Sequence, residues 1–171
     1  PTGKGTSASH LSWTDDKFME GEASIIEISG VYKKYHCPMA RTVLLGKPDQ
    51  KKIDTMKRTR EALQAGIDAT KPGNTADDVA QAFWKVLDKY GIEKKSRTGY
   101  SIGIGYPPDW GEHTLNIQKG DKTILQKNVC FHMIAVMQFG EWGVESSESI
   151  RVSENGAENF YKFPGELHIK G

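Results

Sequence analysis

Three ionisable side chains stand inside apolar stretches of this chain. Glu27 lies within IIEIS at 25–29, His132 within VCFHMIAVMQF at 129–139, and Glu145 within VESSESIRVS at 144–153. An acid or an imidazole among apolar neighbours is costly to bury unless it is paired, so each is either functional or a satisfied structural pair. Tyr100, Glu112 and His113 form a second group. They flank the glycine-rich GYSIGIGY at 99–106 and the loop from Pro107 to Gly111 that carries Asp109 and Trp110, a setting in which active-site side chains gather. Carboxylates of this kind serve as bases or nucleophiles, and imidazole, phenol and carboxylic acid groups move protons. HExxH, clustered aspartates, paired CxxC and GxSxG are all absent, so neither a common metal motif nor a serine hydrolase elbow is present. The glycines at 99–105 precede Pro107-Pro108 rather than a helix, which argues against a phosphate loop. Taken alone, the residues lead to a metal-free acid–base site on an α+β domain.

The elements that must position these groups follow from periodicity. Two apolar runs, Ile25-Ile26 with Ile28 and Val43-Leu44-Leu45, frame a polar and aromatic centre and read as a β-hairpin over 25–46, with Gly30 available for a turn or bulge. Alternation puts Glu27 and Ser29 on one face and Ile26 and Ile28 on the other. Residues 49–69 read as a helix, capped by Asp49, with Ile53, Met56, Leu63 and Ile67 as its apolar stripe. Pro72-Gly73 stops it. Thr75 caps a second helix, striped by Val79, Phe83, Val86 and Leu87 and ending near Gly91. Strands follow at 99–106, at 112–117, at the central run 129–139 and at 144–153. In the last of these, Glu145, Ser147 and Ser149 share one face, and Ser146, Glu148 and Ile150 the other. Residues 1–14 read as an entering loop anchored by His10, Leu11 and Trp13.

The totals bound the partners. At 171 residues, 37% apolar and 26% charged, the chain has the makings of one folded domain rather than a disordered one. A net charge of +1 leaves no footprint for nucleic acid or an anionic membrane. Cys37 and Cys130 make neither a disulfide framework nor a zinc signature, and read as thiols in a reducing, cytoplasmic compartment. No run approaches the roughly 20 apolar residues of a membrane span. The chain opens Pro1-Thr2-Gly3-Lys4 without a methionine, which leads to the expectation of a longer parent protein.

Several stretches then resemble the creatinase/aminopeptidase P superfamily. They are Tyr32-Lys33-Lys34-Tyr35 followed by Arg41-Thr42, the helix pair with Lys71-Pro72-Gly73, GYSIG at 99–103 and VSENGAEN at 152–159. The resemblance implies the "pita-bread" α+β fold, a curved antiparallel sheet backed by helices. It implies that residues 1–171 are the C-terminal part of that catalytic domain, without its leading helices and separate N-terminal domain. SHLSWTDD, YHCP, GYSIGIGYPPDWGEHTL and FHMI are most similar to the ectoine hydrolases within the superfamily. Those enzymes open the cyclic amidine of ectoine or hydroxyectoine to N-acetyl-diaminobutyrate. Metal-dependent members bind two ions through two Asp, one His and two Glu. At the matching positions this chain has Glu27, Pro38, Tyr100, Ile134 and Ser147, a poor set for hard cations.

The resemblance therefore implies a hydrolase without metal or other cofactor, with Glu27 as base or nucleophile at the amidine carbon. Tyr100, His113 and Glu145 are the remaining catalytic candidates, for proton transfer or orientation. His132 and then His36 are lesser candidates for the same proton-transfer role, and Tyr106, Trp110, Glu112 and His132 are candidates for the substrate-binding wall. Arg41 either holds a substrate carboxylate or forms a structural pair inside the hairpin. The expected partners are a small molecule and, in the full-length protein, a second copy. A creatinase-like amidinohydrolase, an Xaa-Pro peptidase and a non-catalytic binding module are the competing readings.

Overall fold

Side-chain alternation along one central strand organises the molecule. In the computed structural model, which describes residues 1–171, strand β5 (Cys130–Phe139) lies inside an eight-stranded sheet. Phe131, Met133, Ala135 and Met137 point to one side and are buried in the main core. His132, Ile134, Val136 and Gln138 point to the other, as a period of two requires. Its neighbour β6 (Trp142–Ser153) repeats the pattern, sending Val144, Ile150 and Val152 to the same core.

Two helices cover that core side. Helix α1 (Gln50–Ala69) is capped by Asp49, whose side chain accepts from Lys52 N at 2.8 Å, and buries Met56, Leu63 and Ile67. Helix α2 (Ala76–Lys89) opens with a reciprocal capping box between Thr75 and Asp78 and buries Val79, Phe83 and Leu87. Gly66 lets α1 lie close on β5. A Cβ there would meet the Met133 sulfur at 3.0 Å, so a larger residue requires the Met133 side chain to shift.

The sheet runs β1 (Ala23–Tyr32), β2 (Tyr35–Leu45), β3 (Gly99–Tyr106), β5, β6 and β7 (Gly156–Asn159), with β4 (Asp109–Ile117) on β3 and β8 (His168–Lys170) parallel to β2. Strands β2 and β3 share one register pair, Tyr35 with Ile104. Beyond it, β2 swings across the concave side and meets β6 through side chains. Ala40 N donates to Ser147 Oγ at 2.7 Å, and Ser149 Oγ donates to the Pro38 carbonyl at 2.6 Å. Thr42 Oγ1 donates to the Glu145 carbonyl and accepts from Glu145 N, both at 2.8 Å. This polar seam curls the sheet and explains why Ser147 and Ser149 are buried.

Three local expectations change. The first hairpin turns at Lys33-Lys34, both with positive φ, and not at Gly30, which remains inside β1 paired with Cys37. The loop assigned to 107–111 is only the two-residue turn Pro107-Pro108, because β4 starts at Asp109 and bulges against β3. Residues 3–7 form a 3-10 turn, and β7 and β8 lie in what read as a plain tail. Ile26 and Ile28 lie on the outer face of β1, each about half exposed. No helix is long and apolar enough to cross a membrane.

Candidate active site

The concave face opens on a cleft of about 780 Å3. Glu27 reaches it from β1, Tyr100 from β3, Trp110 and His113 from β4, and Glu145 from β6. His10 joins them from the leading segment.

Glu27 sits on an edge strand and keeps part of its surface in water. Crowding by neighbouring atoms still raises its carboxyl pKa, against the pull of His10. Glu145 is far more enclosed, 9% exposed. Burial pushes its pKa up to about 8, the charge of Glu27 pushes the same way, and Lys94 pulls back. Lys94 is itself buried, which brings its ammonium down to about 8 against the opposing charge of Glu145. The two carboxyls of the cleft therefore sit in different surroundings, Glu27 partly in water and Glu145 enclosed and disposed to hold its proton at neutral pH.

Tyr100 and His132 are cross-strand partners of β3 and β5, which places them side by side on the concave face. The tyrosine hydroxyl lies 3.1 Å from His132 Nδ1 and accepts a 2.6 Å bond from Trp110 Nε1. Burial raises the phenol pKa to about 12, so Tyr100 is neutral in its working range. His132 has no exposed surface, and its Nε2 lies 2.6 Å from Ser147 Oγ. Burial first, then the Arg41 charge, pulls its pKa down to about 3, so the imidazole is neutral as well. His132 thus stands behind Tyr100 rather than on the cleft wall.

On the rim, His113 Nε2 lies 2.6 Å from Asp109 Oδ2, an exposed pair. A backbone bond from Gly111, followed by the His113 contact, lowers the Asp109 pKa. The bulge that gives His113 a φ of 60° brings it over its partner four residues earlier.

Three candidates lie elsewhere. Tyr106 is exposed at the end of β3, where its hydroxyl accepts from Lys34 Nζ at 3.3 Å. Glu112 accepts from Thr114 Oγ1 at 3.0 Å and lines a different, larger cleft of about 980 Å3 with His36, Cys37 and Cys130. That cleft is larger, but it holds none of Glu27, Tyr100, His113 and Glu145. Arg41 is 3% exposed and its guanidinium is fully engaged: Nη2 donates to Glu148 Oε1 at 3.1 Å, and other bonds go to the carbonyls of Ala40, Ser147, Phe163 and Pro164. It has no donor left for a substrate carboxylate, because the curled sheet turns β2 inward at this position.

From the sequence His10 reads only as a loop anchor and Asp109 only as a loop residue, and Lys94 does not stand out at all. His10 lies in SHLSWTDD, a stretch already marked by the resemblance, and the i, i+4 spacing of Asp109 and His113 was visible within DWGEH. Lys94 gave no signal, since only the folded chain brings it towards Glu145.

The chemistry of the donors speaks against a hard-metal pair at this place. No group of three or more His, Cys, Asp or Glu side chains is close enough to hold an ion. Beside Glu27 the cleft offers the neutral phenol of Tyr100, the His10 imidazole, Ile134 and a Glu145 carboxyl whose pKa burial raises to about 8, whereas hard cations want several anionic oxygens.

Comparison with known proteins agrees with this architecture. The model of metallopeptidase family M24 matches residues 1–154. An ectoine hydrolase from Halomonas elongata is 44% identical over 171 residues, covering 99% of this chain and 43% of that protein. An Xaa-Pro dipeptidase from Pyrococcus furiosus is 24% identical over 90% of this chain and 44% of its own length. The crystal structure of dipeptidase PepE from Mycobacterium ulcerans superposes with a TM-score of 0.91 at 28% identity, over 98% of this chain and 45% of that one. The chain spans less than half the length of these relatives. The similarity establishes the pita-bread fold.

Proposed function

Because the chain belongs to metallopeptidase family M24 yet gathers carboxyl, phenol and imidazole groups where a metal pair would need anionic ligands, we propose that its parent protein is a metal-independent hydrolase opening the cyclic amidine of ectoine or hydroxyectoine to N-acetyl-diaminobutyrate. In this reading the 171 residues are the C-terminal part of the catalytic domain, and the whole protein is a cytoplasmic homodimer. The observation that carries the reading is the pair of carboxyls in one cleft in different surroundings, Glu27 partly in water and Glu145 buried with its pKa raised to about 8. The relationship to the Halomonas elongata ectoine hydrolase supports the choice of substrate.

The substrate supplies its own electrophile. A protonated cyclic amidine is a delocalised cation that pairs with ionised Glu27, and its central carbon accepts a nucleophile without a Lewis acid. Glu27 either adds to that carbon and is released by water, or takes a proton from the water that adds. The resulting tetrahedral centre collapses when a ring C–N bond breaks and the departing nitrogen gains a proton. Protonated Glu145 is the donor placed for that transfer, and His113, held by Asp109, orients the rim beside it. Trp110 covers the cleft beside them and limits water.

The test uses the intact protein with a panel of ectoine, creatine and an Xaa-Pro dipeptide, each with chelator and with manganese. Ectoine opening is expected to survive chelation and to fall by roughly a hundredfold or more in Glu27→Gln with thermal stability unchanged. Manganese-dependent cleavage of the Xaa-Pro dipeptide alone would replace this reading with the peptidase one. Undiminished opening in Glu27→Gln would remove Glu27 from the mechanism.

A further inference from the structure

The geometry points to a one-way hydrogen-bond chain, from Ala40 N–H through Ser147 and His132, that fixes Tyr100 as a hydrogen-bond donor into the cleft. The direction of the chain follows from donor and acceptor inventory alone. Its catalytic meaning deepens the ring-opening reading and rests on it.

Ser147 Oγ has one proton and two acceptor sites. The Ala40 N–H occupies one acceptor site at 2.7 Å, and His132 Nε2 stands at 2.6 Å. If Nε2 carried the imidazole proton, it would fill the second acceptor site. The serine proton would then be left without an acceptor in a wholly buried position. The other tautomer leaves nothing unpaired. Ser147 donates to Nε2, Nδ1 carries the ring proton, and Nδ1–H donates to the Tyr100 oxygen at 3.1 Å. Trp110 Nε1 donates to the same oxygen at 2.6 Å. With both acceptor sites of the phenol filled, its own proton has the cleft as its only outlet, towards the space bounded by Glu27 and Glu145. A neutral His132 keeps this order throughout the working pH range, because an imidazolium there would donate at both ends.

Ser147 and His132 are positioning residues, and Tyr100 is the group that meets the substrate. When the amidinium carbon becomes tetrahedral, a lone pair localises on nitrogen. An aimed O–H stabilises it without transferring the proton. Tyr100 is therefore not a base in this reaction.

The tautomer can be read directly by long-range 1H–15N NMR of His132 in the intact protein, with no substrate present. The Nδ1–H form is expected in at least tenfold excess between about pH 5 and pH 8. Ser147→Ala removes the proton offered to Nε2, so the excess of the Nδ1–H form should shrink and Tyr100 should be free to turn back towards Nδ1. The kcat for ectoine opening should then fall about tenfold or more, with KM within about twofold. Ser147→Thr, which keeps the hydroxyl, should restore both. An Nε2–H tautomer in the unaltered protein overturns the proposal, whether or not the alanine variant folds. An unchanged tautomer and kcat in Ser147→Ala would do the same. If ectoine is not turned over at all, the function reading fails while the tautomer still decides the direction of the chain.

Discussion

Glu27 and Glu145 are the same acid in different surroundings, and the difference can be measured as stability. The folded state raises the Glu145 pKa from 4.5 to about 8. As pH climbs through that window the unfolded chain loses the proton while the folded one holds it. The unfolded state then binds fewer protons, and stability falls with rising pH. Below about pH 4.5 both states are protonated and the group contributes nothing. Glu145→Gln removes the titration. It should be no more stable than the parent near pH 4.5 and more stable by on the order of a few kcal/mol above about pH 8, in urea unfolding followed across pH. If Glu145 is also the proton donor, parent turnover should decline above about pH 8 as the acid ionises, and the Gln variant should lack that limb. His132 has the opposite slope. Its depressed pKa makes stability rise with pH between about 3 and 6.5, so the two opposite slopes cancel where the windows overlap and together leave a plateau between about pH 4.5 and 6.5.

At the scale of elements, legibility depended on how local each cause was. The Asp49 and Thr75 caps and the stripes of α1 and α2 could be read because capping and a period of 3.6 are properties of neighbouring residues. Strand β5 could be read from its apolar run, and the two faces of β6 from alternation. The turn of the first hairpin could not, because Lys33-Lys34 takes a backbone that usually calls for Asn-Gly. Gly30 offered the freedom that turn needs, but the register of β1 with β2 kept it in the strand. The candidate site was legible to the same extent. The polar residues set into apolar strands stood out, but their convergence did not, because it depends on β2 crossing β6. The unusual turn has a consequence. Lys33 and Lys34 hold φ values of 49° and 71°, which cost a residue with a Cβ about 1 kcal/mol or more. The exposed contact of Lys34 with Tyr106 offsets only part of that. Lys33→Asn with Lys34→Gly should therefore stabilise the chain by about 1 kcal/mol in chemical unfolding, with no change in the cleft. A loss of stability instead would show that the lysine contacts outweigh the backbone strain.

The whole molecule is closed by one arginine. Arg41 lies on β2, and its guanidinium binds Glu148 and the Ser147 carbonyl of β6 together with the Phe163 and Pro164 carbonyls of the C-terminal segment. That segment continues into β8, which returns to pair with β2. Glu148 Oε1 is held a second time by Arg60 of α1 at 2.8 Å, so sheet and helix meet at one buried carboxylate and the tail joins them through Arg41. Losing one partner from such a network leaves charges and carbonyls buried without compensation, at about 3–5 kcal/mol. Lysine keeps the charge but cannot spread five donors in a planar fork. Arg41→Lys should accordingly lower the melting temperature by roughly 10 °C, with the KM of the surviving folded enzyme unchanged. A role in holding the substrate carboxylate predicts the reverse, a raised KM at constant melting temperature. The two outcomes separate closure of the fold from recognition of the substrate, and the engaged guanidinium places Arg41 on the side of closure.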